Sequence, residues 1–287
     1  MFSHSIEKML GCIKPVVACK RLYNGTILTD GGTLVVVNRD GWFVSAAHVF
    51  EVIPLFKRHL QEIKTYEAKV EKLKKDPSRE AKKELAGLRP NPEWITASSV
   101  WPGSDNQEIV DINVIPEADI LVGRLSPFDP ESVKEFPVFK NPKKNLSIGT
   151  SLCKIGFAFA ELKTSYDVGA NKFSFDFQNL VPFPIEGMYT RNIMFKTSLE
   201  KNFEVKFLET SSPGLKGQNG GPVFDVKGRV WGIQSRTAHI PLGFNPRIKK
   251  DGKEVEENQF LNVSWAVHPD VVTKFFIDRG IGFQIED

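Results

Sequence analysis

The sequence predicts an all-β fold, an antiparallel sandwich or barrel that carries one inserted helical hairpin and a C-terminal helix. Three observations support this. Short apolar runs recur along most of the 287 residues, punctuated by Gly, Pro and Asp-Gly signals. One polar, Lys- and Glu-rich stretch from Val52 to about Leu88 has no glycine until Gly87, and its apolar residues recur every three or four positions. The segment from His268 to Ile281 returns to that helical spacing.

Taken in chain order, Gly32 to Phe50 reads as two strands joined by Asn38-Arg39-Asp40-Gly41, a hairpin with Asp-Gly at its turn. Leu60, Ile63, Tyr66, Val70 and Leu73 then form one face of an amphipathic helix. Asp76-Pro77 offers an N-cap and first-turn proline for a second helix through Leu85. This insertion, at about 52–90, is expected to pack its apolar stripe on the β structure. A docking surface for a protein partner on 52–88 is the alternative use. Strands follow at residues 118–125, 151–159, 192–199 and 203–210, and a further hairpin at 221–237 turns at Asp225 to Gly228. In the last helix, at about 268–280, Val271, Val272, Phe275 and Phe276 share one face and Gly280 ends it.

Composition sets limits. The chain is 41% hydrophobic and 25% charged, enough for one large domain or two smaller ones sharing an interface. The 22 Phe against 4 Tyr supply aromatic cores. Net charge is +3, its excess mostly in the lysine-rich insertion, so nucleic acid is not an expected partner. The N-terminus lacks the apolar core of a signal peptide, and no apolar run of about 18 residues exists, so no membrane association is expected. Cys12, Cys19 and Cys153 do not make a disulfide framework, which points to a reducing, cytoplasmic setting. The sequons at Asn24, Asn145 and Asn262 carry no weight there. Histidines 4, 48, 59, 239 and 268 lack paired spacing and there is no CxxC, so neither a structural zinc nor a cofactor is expected.

The chemistry concentrates in three places. His48, in "FVSAAHVF", follows a strand, with Ala46 and Ala47 leaving room for a close neighbour. A lone histidine there is usually structural. Asp119, in "PEADILVGRL", stands immediately before a buried-looking strand, with Asp111 as the competing carboxylate. The third is "GQNGGP" at 217–222, a glycine-rich turn able to aim backbone N–H groups at a developing oxyanion. An apolar strand and "WGIQS" at 231–235 follow it.

Together these resemble the trypsin-like, chymotrypsin-fold serine proteases, in the form seen in bacterial members. "SAAH" at 45–48 matches the family's histidine motif, and "DILV" at 119–122 its aspartate motif. "GQNGGP" matches G-x-S-G-G-P except at the serine, and "GIQS" at 232–235 matches the strand lining the substrate cleft. The resemblance implies two six-stranded antiparallel β-barrels with the active site between them. The N-terminal barrel, 1–130, would carry His48 and Asp119, and the C-terminal barrel, 131–287, the 217–222 turn. It further implies His48 as general base, Asp119 as its orienting carboxylate, and the N–H groups of Gly217 and Asn219 as the oxyanion hole. Gln234, Ser235 and Thr237 would line the peptide-binding strand, and Pro213 would lie at the floor of the specificity pocket. No acid lies in that loop to select Lys or Arg, whereas an inward His239 would favour an acidic side chain. With no Ile-Val activation site near the N-terminus, activation through a freed amine is not expected, nor is an added peptide-binding domain.

Asn219 occupies the nucleophile position. A carboxamide has no ionisable hydroxyl and its nitrogen lone pair is delocalised, so a histidine cannot make it an acyl acceptor. Loss of a triad member leaves about 10³–10⁴-fold residual acceleration, far short of a working protease at ~10⁶-fold or more. Ser211 and Ser212 lie on the pocket wall in the family's layout, and none of the cysteines falls in the turn. The chain is therefore expected to bind a peptide or protein substrate without cutting it. It would be either a protease with a one-residue knockout, which the intact His48 and Asp119 favour, or a natural pseudoprotease. A β-barrel scaffold whose insertion binds a partner is the third reading, and it would need no open cleft.

Overall fold

A computed structural model describes residues 1–178, 180–196 and 204–286 of the chain. Six strands form the first sheet: β1 (Ile13–Leu22), β2 (Ile27–Val36), β3 (Trp42–Ala46), β4 (Ile95–Trp101), β5 (Glu108–Ile115) and β6 (Ile120–Ser126). They curl in the order β4-β1-β2-β3-β6-β5, with antiparallel pairing throughout. The β2–β3 turn forms where the Asp-Gly signal lies, and Asn38 Oδ1 closes it by accepting from the Asp40 and Trp42 N–H groups.

The second half contains β7 (Val138–Lys140), β8 (Ser151–Gly156), β9 (Glu161–Asp167), β10 (Lys172–Gln178), β11 (Phe183–Lys196) and β12 (Glu204–Thr210). Further along are β13 (Pro222–Phe224), β14 (Arg229–Pro241), β15 (Arg247–Lys250), β16 (Lys253–Glu256), β17 (Phe260–Val267) and β18 (Gln284–Glu286). Strands β13-β8-β11-β12-β17-β14 run in that order, and a β13–β14 pairing closes them into a six-stranded ring. Strand β7 adds to β14 in parallel, and β18 adds to β7 in parallel. The fold is thus mostly β, built from two curled antiparallel sheets. Residues 197–199 and 203 of the strands expected at 192–199 and 203–210 lie outside the described residues.

Helices sit where the spacing places them. α2 (Val52–Lys75) and α3 (Arg79–Gly87) form the insertion, and α4 (Pro269–Asp278) the C-terminal helix. The stripe on α2 turns inward as expected. Ile63 is buried, Tyr66 packs edge-on to Trp94 at 5.4 Å, and Trp94 Nε1 donates to Glu62 at 2.6 Å. The second helix starts later than Asp76-Pro77 suggests. Asp76 Oδ1 is occupied by the Ser78 N–H, and Ser78 Oγ becomes the cap, accepting from Ala81 N at 3.1 Å. His268 caps α4, accepting from Asp270 N. No helix among the described residues is long and apolar enough to cross a membrane.

Three features lie beyond the sequence reading. A helix α1 (Ser3–Leu10) docks on the second sheet, its flanking Phe2 meeting Phe224 edge-on at 6.2 Å. The β9–β10 hairpin leaves the second half and packs on the first sheet. There Phe177 lies 4.7 Å from the Trp101 ring, and Arg21 covers Tyr166 at 5.4 Å. One hydrophobic cluster runs through both sheets, joining Leu34, Phe43 and Ile120 to Phe139, Phe207 and Phe276.

Candidate active site

Asp119 is prepared by its own backbone. It follows a short 3-10 turn (Pro116–Ala118) and holds a left-handed conformation, φ 53°, that Asp tolerates better than most residues. Its carbonyl accepts from Ala47 N at 3.1 Å and its Oδ1 from His48 N at 2.9 Å. The carboxylate therefore grips the segment that carries the histidine. His48 Nδ1 lies 2.9 and 3.0 Å from the two carboxylate oxygens, and Ser235 Oγ donates to Oδ2. Burial pushes the Asp119 carboxyl up. The hydrogen bond from the His48 ring, its charge, the Ser235 hydroxyl and the His48 N–H outweigh burial and hold it below the usual carboxylate value. An ionised Asp119 makes Nδ1 the protonated nitrogen. Asp111 is the wrong carboxylate, because it points outward to Arg124, with Nε at 2.8 Å.

Asn219 closes the line. Its Nδ2, a donor only, lies 2.9 Å from His48 Nε2, which must accept. With Nδ1–H directed at Asp119, Nε2 is the nitrogen that faces residue 219, where a proton acceptor would be needed.

The 217–222 turn is built to very short approaches. Gly217 (φ 93°) and Gly220 (φ 87°) adopt conformations that disfavour a side chain. A Cβ on Gly220 would meet Thr33 O and Ser45 Oγ at 2.1 Å, and one on Gly217 would meet Phe157 O at 2.2 Å. Thr33 ties the turn to β2, its N–H donating to Asn219 O at 2.8 Å and its Oγ1 to Gly217 O at 2.7 Å. Gln218 is wholly buried. It pins the turn from beneath, donating to Phe183 O at 2.7 Å and accepting from Leu215 N at 3.1 Å. The N–H groups of Gln218, Gly220 and Gly221 are taken by Leu215, Gln234 and Gln218 carbonyls. Among the described residues this leaves Gly217 and Asn219 as the turn's remaining donors.

These side chains open on a cleft of about 860 Å³. His48, Asp119 and Asn219 lie on one side. Ile112 and Val114 from β5, with Ile53 and Pro54 from the first turn of α2, make an apolar wall. Of the residues expected to contact a peptide, Ser235 and Thr237 line this cleft, although the Ser235 hydroxyl is spent on Asp119. Gln234 is buried behind it, and the cleft is lined by Gly214 and Leu215 rather than Pro213. His239 is corrected outright. It lies exposed on the β14–β17 ladder with Nδ1 2.6 Å from Asn262 Oδ1 and is no part of the cleft. Among the described residues no three His, Cys, Asp or Glu side chains converge to hold a metal.

Sequence reasoning missed Thr33 and Gln218. The "x" between two motif glycines signals nothing, and Thr33 meets the turn only through the sheet.

The chain belongs to the trypsin-like peptidase domain family, whose model matches residues 32–233. Among solved structures it is similar to the active form of the Rv3671c protease from M. tuberculosis. The TM-score is 0.51 at 10% identity, over 98% of this chain and 86% of that one. The inactive form of the Rv3671c protease matches with a TM-score of 0.46 at 12% identity, over 96% of this chain and 93% of that one. At such identity the likeness to the active form speaks for the two-barrel fold alone. No curated protein sequence matches the chain.

Proposed function

We propose that the chain carries the site of a serine endopeptidase whose nucleophile is replaced by Asn219, so that it holds a peptide or protein substrate without cleaving it. One observation carries this reading. Asn219 Nδ2 stands 2.9 Å from His48 Nε2, with Asp119 holding Nδ1 behind it. A serine hydroxyl in that place would deliver its proton to Nε2 as its oxygen attacks the scissile carbonyl. The ionised Asp119 would stabilise the imidazolium formed, and the Gly217 and residue 219 N–H groups would receive the oxyanion. His48 would then return the proton to the leaving amine. The amide at 219 can do none of this and acts only as a hydrogen-bond donor.

A natural binding module is the second reading. It has no chemical use for an ionised carboxylate buried behind a histidine, and this weighs toward an inactivated protease. A pure scaffold is disfavoured, because the His48 side chain is 43% exposed on an open cleft. The stripe of the insertion is already spent on β4 and Trp94, so partner docking there would have to use its polar face.

The test is Asn219→Ser treated with a fluorophosphonate serine-hydrolase probe. We expect labelling that disappears on adding His48→Ala, and peptide cleavage at least about 10³-fold above the Asn form. A folded Asn219→Ser protein that stays unlabelled would sink the inactivated-protease reading.

A further inference from the structure

Lys154 is the most deeply buried lysine among the described residues, and the proposed chemistry does not use it. It lies on β8 with 1% of its surface exposed. Its Nζ reaches Ser212 O at 2.7 Å, Ser212 Oγ at 2.8 Å, Ser264 Oγ at 2.9 Å and Thr210 Oγ1 at 3.0 Å. All four are neutral oxygens, and among the described residues no carboxylate pairs with this ammonium. A buried charge without a counter-charge is costly, and proteins seldom keep one for packing alone.

Its place in the fold suggests a use. Ser212 lies two residues before Gly214 in the loop leading to the turn. Ser264 sits opposite both Thr210 and Thr237 in the ladders of β17. Gly214 and Thr237 line the cleft, and Thr237 Oγ1 donates to Gly214 O at 2.7 Å. The amine and its three hydroxyls therefore lie directly behind a hydrogen bond that joins the two walls of the cleft. This is where the side chain preceding a scissile bond would enter. One rotation of Thr237 about χ1 releases the bond. Gly214 has no side chain, and the space where its Cβ would stand is taken by Gln234, with Nε2 at 2.2 Å, and by Thr237, with Oγ1 at 3.3 Å, so both side chains must turn to admit a substrate group.

We propose that Lys154 determines specificity at this site, selecting peptides with glutamate or aspartate immediately before the bond held at residue 219. The inference rests on the protease reading above for the placement of that bond. A carboxylate supplies the missing counter-charge, and the Ser212, Ser264 and Thr210 hydroxyls can turn from accepting to donating toward it. Gln234 Oε1 is buried with no hydrogen-bond partner, and by itself it would favour a carboxamide, which donates. The ammonium decides against that, because a charge-assisted bond in a water-poor pocket is roughly twice as strong as a neutral one.

The test has two arms. In the first, decapeptides that differ only at the position before the scissile bond (Glu, Asp, Gln, Leu, Lys) are titrated by fluorescence polarisation against the chain as it stands. We expect Glu and Asp peptides to bind at least tenfold tighter than the others. Lys154→Met should erase that difference with Leu binding unchanged, and Ser264→Ala, which leaves the lysine, should weaken Glu binding several-fold. In the second, the same peptides are offered as substrates to Asn219→Ser that has not met the probe, once a separate sample has been shown to label. A labelled serine variant that prefers Leu or Lys, Gln binding equal to Glu, a preference that survives Lys154→Met, or no binding in either arm overturns the proposal. Lys154-dependent Glu binding by a protein whose serine variant stays unlabelled would support it while overturning the protease reading.

Discussion

At the scale of the residue, the site is a set of groups whose protonation is fixed by their neighbours. Asp119 and His48 were legible in the sequence only together, because "SAAH" and "DILV" stand in order with the 217–222 turn, and each alone reads as an ordinary strand-end residue. Lys154 was not. Its meaning comes from Ser212 and Ser264, distant in sequence, and only the β12–β17 and β14–β17 registers bring them together. Its titration makes a measurable claim. Burial pulls the Lys154 amine from 10.5 down to about 7. The groups touching Nζ are hydroxyls and a carbonyl that do not titrate in that range. Since the folded value is below the unfolded one, between them the unfolded chain binds a proton that the folded chain does not. The penalty is full below pH 7 and shrinks as pH rises toward 10.5. Urea denaturation should therefore show the stability gap between Lys154→Met and the parent at its most favourable to the variant at pH 6.5, with the loss of four hydrogen bonds offsetting part of the gain. That gap should narrow steadily by pH 9.5. A gap constant with pH would mean that Lys154 keeps an ordinary affinity for its proton.

At the scale of the element, the 217–222 turn shows why a motif is readable and its anchors are not. The glycines announce themselves because their conformations and close approaches admit nothing larger. The residues that receive the turn, Thr33 on β2 and Phe183 at the start of β11, are ordinary in type. The same asymmetry holds elsewhere. The stripe on α2 was legible from spacing, but the β9–β10 hairpin was not, since its aromatic face is covered by Trp101, Arg21 and their neighbours on the sheet of the other half. The turn also yields a mutational forecast. In Gly220→Ala, the new methyl would fall 2.1 Å from Thr33 O and Ser45 Oγ, at a φ of 87°. Adding the conformational cost to the overpacking cost gives a destabilisation of about 2–5 kcal/mol. Thermal denaturation should register that loss. Peptide affinity should fall with it, because residue 219 is displaced along with the turn. A variant of unchanged stability would show that the turn gives way more readily than these contacts imply.

At the scale of the whole molecule, the two sheets share one apolar cluster. The resemblance to trypsin-like proteases implied two barrels meeting at a site, and the two curled sheets are there, but the boundary between them is crossed in several places. α1 comes from the N-terminus and packs on the second sheet, the β9–β10 hairpin reaches back onto the first, and a single apolar cluster contains residues of both. None of these crossings has a local signature. Each is set by which faces remain uncovered once the strands have paired. If the core is shared, unfolding one sheet exposes the apolar face of the other, and no half-folded state should accumulate. Phe139 offers the sharpest probe. It is fully buried on β7 in the second half, 5.2 Å from the Phe276 ring, yet it shares its cluster with Leu34 and Ile120 of the first sheet. Phe139→Ala should cost about 3–5 kcal/mol. Trp42, Trp94 and Trp101 belong to the first half, and Trp231 and Trp265 to the second. Tryptophan fluorescence from variants retaining only one group or the other can therefore follow each half separately. We expect both signals to melt at one midpoint in the parent and to shift down together, by the same number of degrees, in Phe139→Ala. If the second-half signal shifts alone, the sheets are energetically separate, and the cleft lies between two bodies free to move against each other.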